Sequence, residues 1–394
     1  MKKLIFIFAA VLFTLYIVQS TSYNAFAQWQ QIGLDSSNVF SIVTDVANIY
    51  AGTNHGVFLS TDDGNSWTHK GLYGVTSIVI DGTNIFTAAD GGLYLSNNNG
   101  NNWTNIGLSN DTITSLAVSG TNIFAGVNNY YTGSGGVFLS TDTGASWTQF
   151  SYWNSGLDNP NVTCLLINGN NIFAGTMSGG VFLSTNNGSN WTAVNNGITE
   201  FWITSIGNYG NNVFAGTGNN IFLSTDNGIL WTPTDSAHAT VNDFTNVDTN
   251  IYAATFLYIY LSTDSGSSWT AVDGTGLIGG GAYSLAIKGN YIYAGTGYGI
   301  WRRLLSEITN INENKIKQYN IYPNPVNKGG DLFIESDITD NIKVEIYGID
   351  GTLKTEMLLT PETRNIDIST LNQGIYIFKF INTNFCSQKK IVIN

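Results

Sequence analysis

Apolar residues in this chain fall in short runs that alternate with polar ones, and the runs return in a fixed order. An alternating stretch such as Thr76-Ser-Ile-Val-Ile80 precedes a unit of the type Asn48-Ile-Tyr-Ala-Gly-Thr53, and a stretch such as Gly56-Val-Phe-Leu-Ser60 follows one. A period of two predicts half-buried β-strands joined by tight turns. The middle unit begins at Asn48, Asn84, Asn122, Asn171, Asn212, Asn250 and Asn290, so the set of strands is expected seven times.

After the third strand comes a turn with the pattern Ser-x-Asp/Asn-x-Gly-x-x-Trp, first as Ser60-Thr-Asp62-Asp-Gly64-Asn-Ser-Trp67. Its tryptophans, Trp67, Trp103, Trp147, Trp191, Trp231 and Trp269, are spaced by 36, 44, 44, 40 and 38 residues, the period of a four-stranded propeller blade. The Asp or Asn oxygen caps backbone N–H groups, the Gly supplies a positive φ, and the Trp enters the next strand. The acceptors are Asp62, Asn98, Asp142, Asn186, Asp226 and Asp264. Asn at two of them means that the turn needs a short acceptor rather than a charge, which argues for a structural role and against a metal or a catalytic carboxylate.

This pattern resembles the Asp-box, or bacterial neuraminidase repeat, of sialidases, xyloglucanases, sortilin-type receptors and photosystem assembly factors, over most of residues 28–306. The resemblance implies a β-propeller and leaves the activity open, since the motif recurs in enzymes, receptors and assembly factors. The seventh repeat lacks its own turn and Trp strand. Gln28-Trp29-Gln-Gln-Ile-Gly33-Leu34 aligns with Ser66-Trp67-Thr-His-Lys-Gly71-Leu72, so residues 28–34 are expected to close the last blade and remove an open sheet edge. The predicted fold is all-β, a seven-bladed β-propeller over residues 28–306, followed by a small C-terminal β-sandwich.

Residues 1–27 read as a signal peptide: Met1-Lys2-Lys3, an apolar run over residues 4–18, and an Ala25-Phe-Ala27 cleavage site. The run falls short of the ~20 residues a membrane-spanning helix needs, and no later segment is apolar enough to span. Residues 28–306 hold sixteen acidic side chains against Lys70, Lys288, Arg302 and Arg303, a balance that disfavours nucleic acid and anionic lipid. Cys164, on an inner strand, and Cys386 are expected to be separate thiols. His55, His69 and His238 stand singly, so no metal site and no cofactor is expected, and the chain is expected to be a monomer.

Strand counting places the repeated turns on one face of the propeller. The opposite face collects the turns after the Ala-Gly-Thr strands and the links between blades, and by resemblance to other propellers that face carries the binding or active site. Its loops add Tyr130, Tyr131, Tyr152, Trp153, Phe201, Trp202 and Tyr258, candidates for stacking on a sugar or docking a protein. Asp90 and Asp243 also break the pattern of their blades and are the candidate catalytic acids. The stretch around Asp90 is similar to one around a catalytic Asp in xyloglucanases, which pair it with an acid from a second propeller. A glycosidase needs two carboxyls roughly 5 to 9.5 Å apart. Sialidases hold the substrate carboxylate with three arginines, and this propeller has only Arg302 and Arg303.

Composition shifts after Leu305. A polar linker over residues 307–320 leads to Tyr322-Pro323-Asn324-Pro325 and then to further strand-like runs over residues 321–394. The order Tyr-Pro-Asn-Pro, Val344-Glu-Ile-Tyr347-x-x-Asp-Gly, Leu371-x-x-Gly374-Ile-Tyr and a terminal Lys389-Lys-Ile-Val resembles the type A C-terminal sorting domain of the type IX (Por) secretion system. That resemblance implies recognition of the tail by the type IX machinery, and a protein secreted from, or displayed on, a Gram-negative bacterium. The expected function is a binding module for a glycan or a protein. The alternatives are a xyloglucanase-like glycoside hydrolase and a structural surface protein.

Overall fold

The computed structural model describes residues 29–129, 135–234, 239–272, 277, 281–309, 320–329, 332–335, 342–348, 352–360, 365–381 and 386–394. The chain divides into two compact units, Met1–Ile308 and Thr309–Asn394.

In the first unit the described strands form seven antiparallel sheets of four. Six use consecutive strands, as in blade 2, where Ser77–Asp81, Asn84–Ala89, Gly92–Ser96 and Thr104–Gly107 pair in chain order. The seventh unites the two ends of the unit: Ser284–Lys288, Tyr291–Thr296 and Gly299–Leu304 are completed by Gln30–Gly33, with Gln30 opposite Arg302 and Gln31 opposite Trp301. Trp29, 3% exposed, packs in one apolar cluster with Tyr252 and Trp301. The innermost strands of successive blades touch, and that of blade 1, Val39–Thr44, also touches that of blade 7. The ring is therefore closed.

The Ala-Gly-Thr unit has a packing cause. A Cβ on Gly175 would lie 2.6 Å from a methyl of Ile203, and one on Gly216 would lie 2.7 Å from Val241, so the missing side chain lets the next blade's inner strand approach. The Thr then holds the following turn: Thr53 Oγ1 donates to the Gly56 carbonyl at 3.0 Å and accepts from the His55 N–H at 3.0 Å.

A second belt of bonds links the inner strands near their beginnings. Thr76 donates to the Ile113 carbonyl (2.8 Å), Thr114 to Val162 (2.7 Å), Thr163 to Ile203 (2.6 Å), Thr204 to Val241 (2.5 Å), and Asn242 Nδ2 to Ala282 (2.8 Å). Each bond carries one blade onto the next. At the junction of blades 7 and 1 the equivalent residues are Tyr283 and Phe40, whose rings stack at 5.8 Å.

The described strands of the second unit form two sheets, Asn320–Tyr322 with Leu332–Glu335 and Asn365–Ile366, and a four-stranded sheet ordered Leu353–Leu359, Ile342–Gly348, Gly374–Ile381, Cys386–Ile393. Its own core includes Val344, Ile346, Phe378, Phe380 and Ile391. The Tyr-Pro-Asn-Pro segment is tied to the last strand by Asn324, whose Nδ2 donates to the Lys390 carbonyl (2.8 Å) while its Oδ1 accepts from the Val392 N–H (3.0 Å). The polar Asn of that motif is thus a clasp on the terminal strand.

Candidate functional site

The repeated turns are built alike. In blade 3, Ser140 Oγ donates to Asp142 Oδ1 (2.7 Å) and accepts from the Gly144 N–H (2.7 Å), and Asp142 Oδ1 accepts from the Ser146 N–H (2.9 Å). Thr143 and Gly144 both take left-handed conformations, φ 58° and 95°. Asn98 keeps the same geometry, accepting from Ser96 Oγ at 3.0 Å and from the Asn102 N–H at 3.0 Å.

The tryptophan adds a contact that the pattern alone did not reveal. The indole N–H leaves its own blade and donates to a carbonyl of the blade before: Trp67 to Ile32 (2.9 Å), Trp103 to Lys70 (2.7 Å), Trp147 to Ile106 (2.8 Å) and Trp231 to Val194 (2.7 Å). These four turns are staples between blades, whereas the buried indole N–H groups of Trp191 and Trp269 make no such bond. The first bonds the closing strand, so it also locks the ring.

Three of the four charged acceptors have a further partner, and the fourth, Asp226, has Leu230 at the matching place. Ser66, Ser146 and Ser268 donate their hydroxyls to the second carboxylate oxygens of Asp62, Asp142 and Asp264 at 2.7, 2.6 and 2.6 Å. In the Asn98 and Asn186 turns the matching residue is Asn102 or Asn190. The Ser146 hydroxyl, then the Ser146 N–H and the Ser140 hydroxyl, hold the Asp142 carboxyl down at about 2. In every one of these turns the acceptor's Oδ1 is engaged by the turn's own serine and backbone amide.

The opposite face differs in composition. Twelve large apolar side chains are counted as exposed among the described residues of the propeller, and nine of them lie on the link and turn face: Phe40, Tyr73, Met177, Phe201, Trp202, Phe256, Leu257, Tyr258 and Tyr298. The exposed aromatics among them all lie on this side, while the other face has Val46, Ile229 and Leu230. Its densest part is an arc over blades 4 to 6. The Phe201 carbonyl accepts from the Gly180 N–H (3.0 Å), the Trp202 ring stands over Gly218, the Gly218 carbonyl accepts from Thr240 Oγ1 (3.2 Å), and the Thr240 carbonyl accepts from the Phe256 N–H (3.1 Å). Phe201, Trp202 and Tyr258 are 46%, 51% and 46% exposed, open to a partner.

Of the other candidates from sequence, Tyr130 and Tyr131 lie outside the described residues, as do the side chains of Tyr152 and Trp153. The backbone of the last two forms a helical turn, Tyr152–Ser155, within the link between blades 3 and 4. Tyr73, Met177, Leu257 and Tyr298 were missed. Each follows a regular strand by one or a few residues, so the period-two pattern counted it as part of the framework.

The candidate acids occupy different environments. Asp90 is exposed on the turn of blade 2, with its N–H donating to the Tyr73 carbonyl (2.9 Å) and its carboxylate lying over Gly74. Asp243 is on the inner strand Val241–Val247, where its carboxylate accepts from Leu285 N–H (2.8 Å), Ser284 Oγ (3.0 Å) and Phe244 N–H (2.8 Å). Burial pushes its carboxyl up to about 6 against the pull of those donors. The hydrogen bonds of the two acids go to different residues, those of Asp90 within blades 1 and 2 and those of Asp243 at the junction of blades 6 and 7. Glu200, beside Phe201, accepts from Thr217 Oγ1 (2.8 Å) and from Asn220 Nδ2. An open cleft of about 660 Å³ lies at the ring junction, lined by Leu34, Asp35, Ser36, Ser37, His55 and Phe58. Among the described residues no group of His, Cys, Asp and Glu could hold a metal ion. Cys164 is a free thiol pushed up to about 12 by burial, poorly suited to nucleophilic work.

Residues 320–394 match the family described as a secretion system C-terminal sorting domain. The tail marks the chain as cargo of the type IX secretion system, exported to the cell surface or released. No curated protein matches the chain in sequence. Among solved structures, the chain is similar to the extracellular domain of the hybrid two component system BT4673 from B. thetaiotaomicron, with TM-score 0.61, 17% identity, and 79% of this chain covering 45% of that one. It is also similar to YCF48 from Cyanidioschyzon merolae, with TM-score 0.57, 16% identity and coverage of 71% and 98%. A third is the GH74 xyloglucanase from Xanthomonas campestris, with TM-score 0.54, 16% identity and coverage of 71% and 54%. The chain spans less than half the length of the first of these and nearly all of the second. At such identities the likeness speaks for the fold alone: an all-β chain whose repeated four-stranded sheets are propeller blades.

Proposed function

We propose that this exported propeller is a binding module whose ligand, a glycan or a protein, docks on the link and turn face. The observation that carries the reading is the one-sided placement of exposed aromatics, densest in the Phe201, Trp202 and Tyr258 arc. Rigid aromatic side chains offer large contact area at little entropic cost, and a closed ring presents them on a fixed base. A propeller over residues 28–306 closed by residues 28–34 and a sorting tail over residues 321–394 fit this reading, because the second unit has a core of its own.

The binding half is tested by screening the secreted protein on a glycan array and against surface-protein extracts, then repeating each hit with Trp202→Ala and Tyr258→Ala. Affinity should fall while the far-ultraviolet circular dichroism spectrum stays the same. Hits that ignore both substitutions would refute it. The export half is tested by deleting residues 320–394, which should hold a folded propeller in the periplasm; appearance of the truncated chain in the medium would overturn that half.

A further inference from the structure

The two faces of the propeller differ in charge as well as in apolar surface. The four lysines and arginines among the described residues of the propeller are engaged on the side of the repeated turns or close to it. Lys70 Nζ donates to Asn101 Oδ1 (2.7 Å), Lys288 pairs with Asp63, Arg302 Nη1 donates to the Asp63 carbonyl (2.7 Å), and Arg303 lies 3.9 Å from Glu307. The link and turn face has Asp35, Asp90, Asp111, Asp158, Glu200 and Asp243, and no lysine or arginine among the described residues. The hydrogen bonds that Asp111, Glu200 and Asp243 accept come from neutral donors, Asn129, Thr217, Asn220, Ser284 and backbone amides. Their negative charge is therefore not cancelled locally.

An anionic partner would meet like charge over this whole face, and a neutral one would draw nothing from it. A cationic partner gains twice, from the field of the carboxylates and from the faces of Trp202, Phe201 and Tyr258, which attract ammonium and guanidinium groups. We propose that the ligand of this face is a lysine- or arginine-rich polypeptide segment. The proposal rests on the reading of this face as the binding face and adds the chemical class of what it binds.

The test is a fluorescence-anisotropy titration of the secreted full-length protein with labelled decalysine, with acetylated decalysine as the neutral control. Two variants of equal net charge are compared: Asp90→Asn/Asp158→Asn on the link and turn face, and Asp81→Asn/Asp248→Asn at the turns of the other face. Decalysine should bind and the acetylated peptide should not. The first variant should weaken binding by about tenfold, the second by less than about twofold, and Trp202→Ala should also weaken it by about tenfold. Equal effects of the two double variants would show a net-charge artefact and overturn the proposal, as would failure of decalysine to bind at low salt. If a neutral glycan binds, with loss on Trp202→Ala and indifference to Asp90→Asn/Asp158→Asn, the face is a binding face but the cationic class is wrong. If Trp202→Ala alters no binding of any probe, both readings fall.

Discussion

The repeated-turn face and the link face are built from the same seven blades, yet they treat a carboxylate in opposite ways. At the turns, serine hydroxyls and backbone amides surround Asp142 and hold its carboxyl down at about 2. At the head of the blade 6 inner strand, burial lifts Asp243 to about 6. The first arrangement recurs around the ring and stabilises the charged form where it stands. The second occurs once and costs stability when the group ionises. Regularity marks the part of the molecule that holds the ring together, and departure from it marks the part left free to specialise.

The largest expected effect lies at the junction on which both faces depend. Trp29→Ala should lower the unfolding free energy by ~3–5 kcal/mol, read from the urea midpoint, because a buried indole anchors the closing strand. A loss below ~1 kcal/mol would mean that the ring stands without its fourth strand in blade 7. On the turn side, Ser140→Ala should cost ~1–3 kcal/mol, since it orphans the buried Gly144 N–H. The contrast with the link face is sharpened by Trp202→Ala, which should change stability by no more than ~0.5 kcal/mol because the side chain is half exposed.

Acid and base behaviour should separate the faces as well. Asp243 has a folded value above its unfolded 3.8, so the folded state holds its proton longer. Its contribution is present below about pH 4 and is lost as pH rises through about 6. Asp243→Asn should flatten the fall in melting temperature over that window. Asp142 has the opposite sign: its contribution is present above about pH 4 and is lost as pH falls through about 2. Asp142→Asn should keep the two bonds that Asn98 makes and lose the one from the Ser146 hydroxyl, so it should lower neutral-pH stability modestly and remove part of the acid-range slope. If the two substitutions altered the same pH window, the assignment of the carboxyls to opposite environments would be wrong.

Much of the fold was legible because the blade is a local unit repeated at a steady period. The seven Ala-Gly-Thr units and six Trp turns mark strands, turns and ring size from residues close in sequence. What escaped the pattern depends on the neighbouring blade. The Trp67 indole bond to Ile32 and the Thr76 bond to Ile113 join residues 35 and 37 positions apart, and no single repeat displays them. The candidate site was legible only in part. Phe201, Trp202 and Tyr258 stood out as aromatics in loops, whereas Tyr73 and Tyr298 are exposed because of where the blade edges end. Asp243 reads from sequence as an odd residue on an inner strand; its place against Ser284 and Leu285 follows only from the ring.

The central claim is a division of labour between the faces, and it is tested most directly by measuring stability and ligand capture on the same two variants. Ser140→Ala should lower the urea midpoint and leave affinity for the screened ligand within about twofold, while Trp202→Ala should leave the midpoint nearly unchanged and weaken affinity by about tenfold, the loss expected of an aromatic anchor. If Ser140→Ala abolished binding in the folded protein, or Trp202→Ala unfolded the ring without a specific effect on binding, the division would be contradicted.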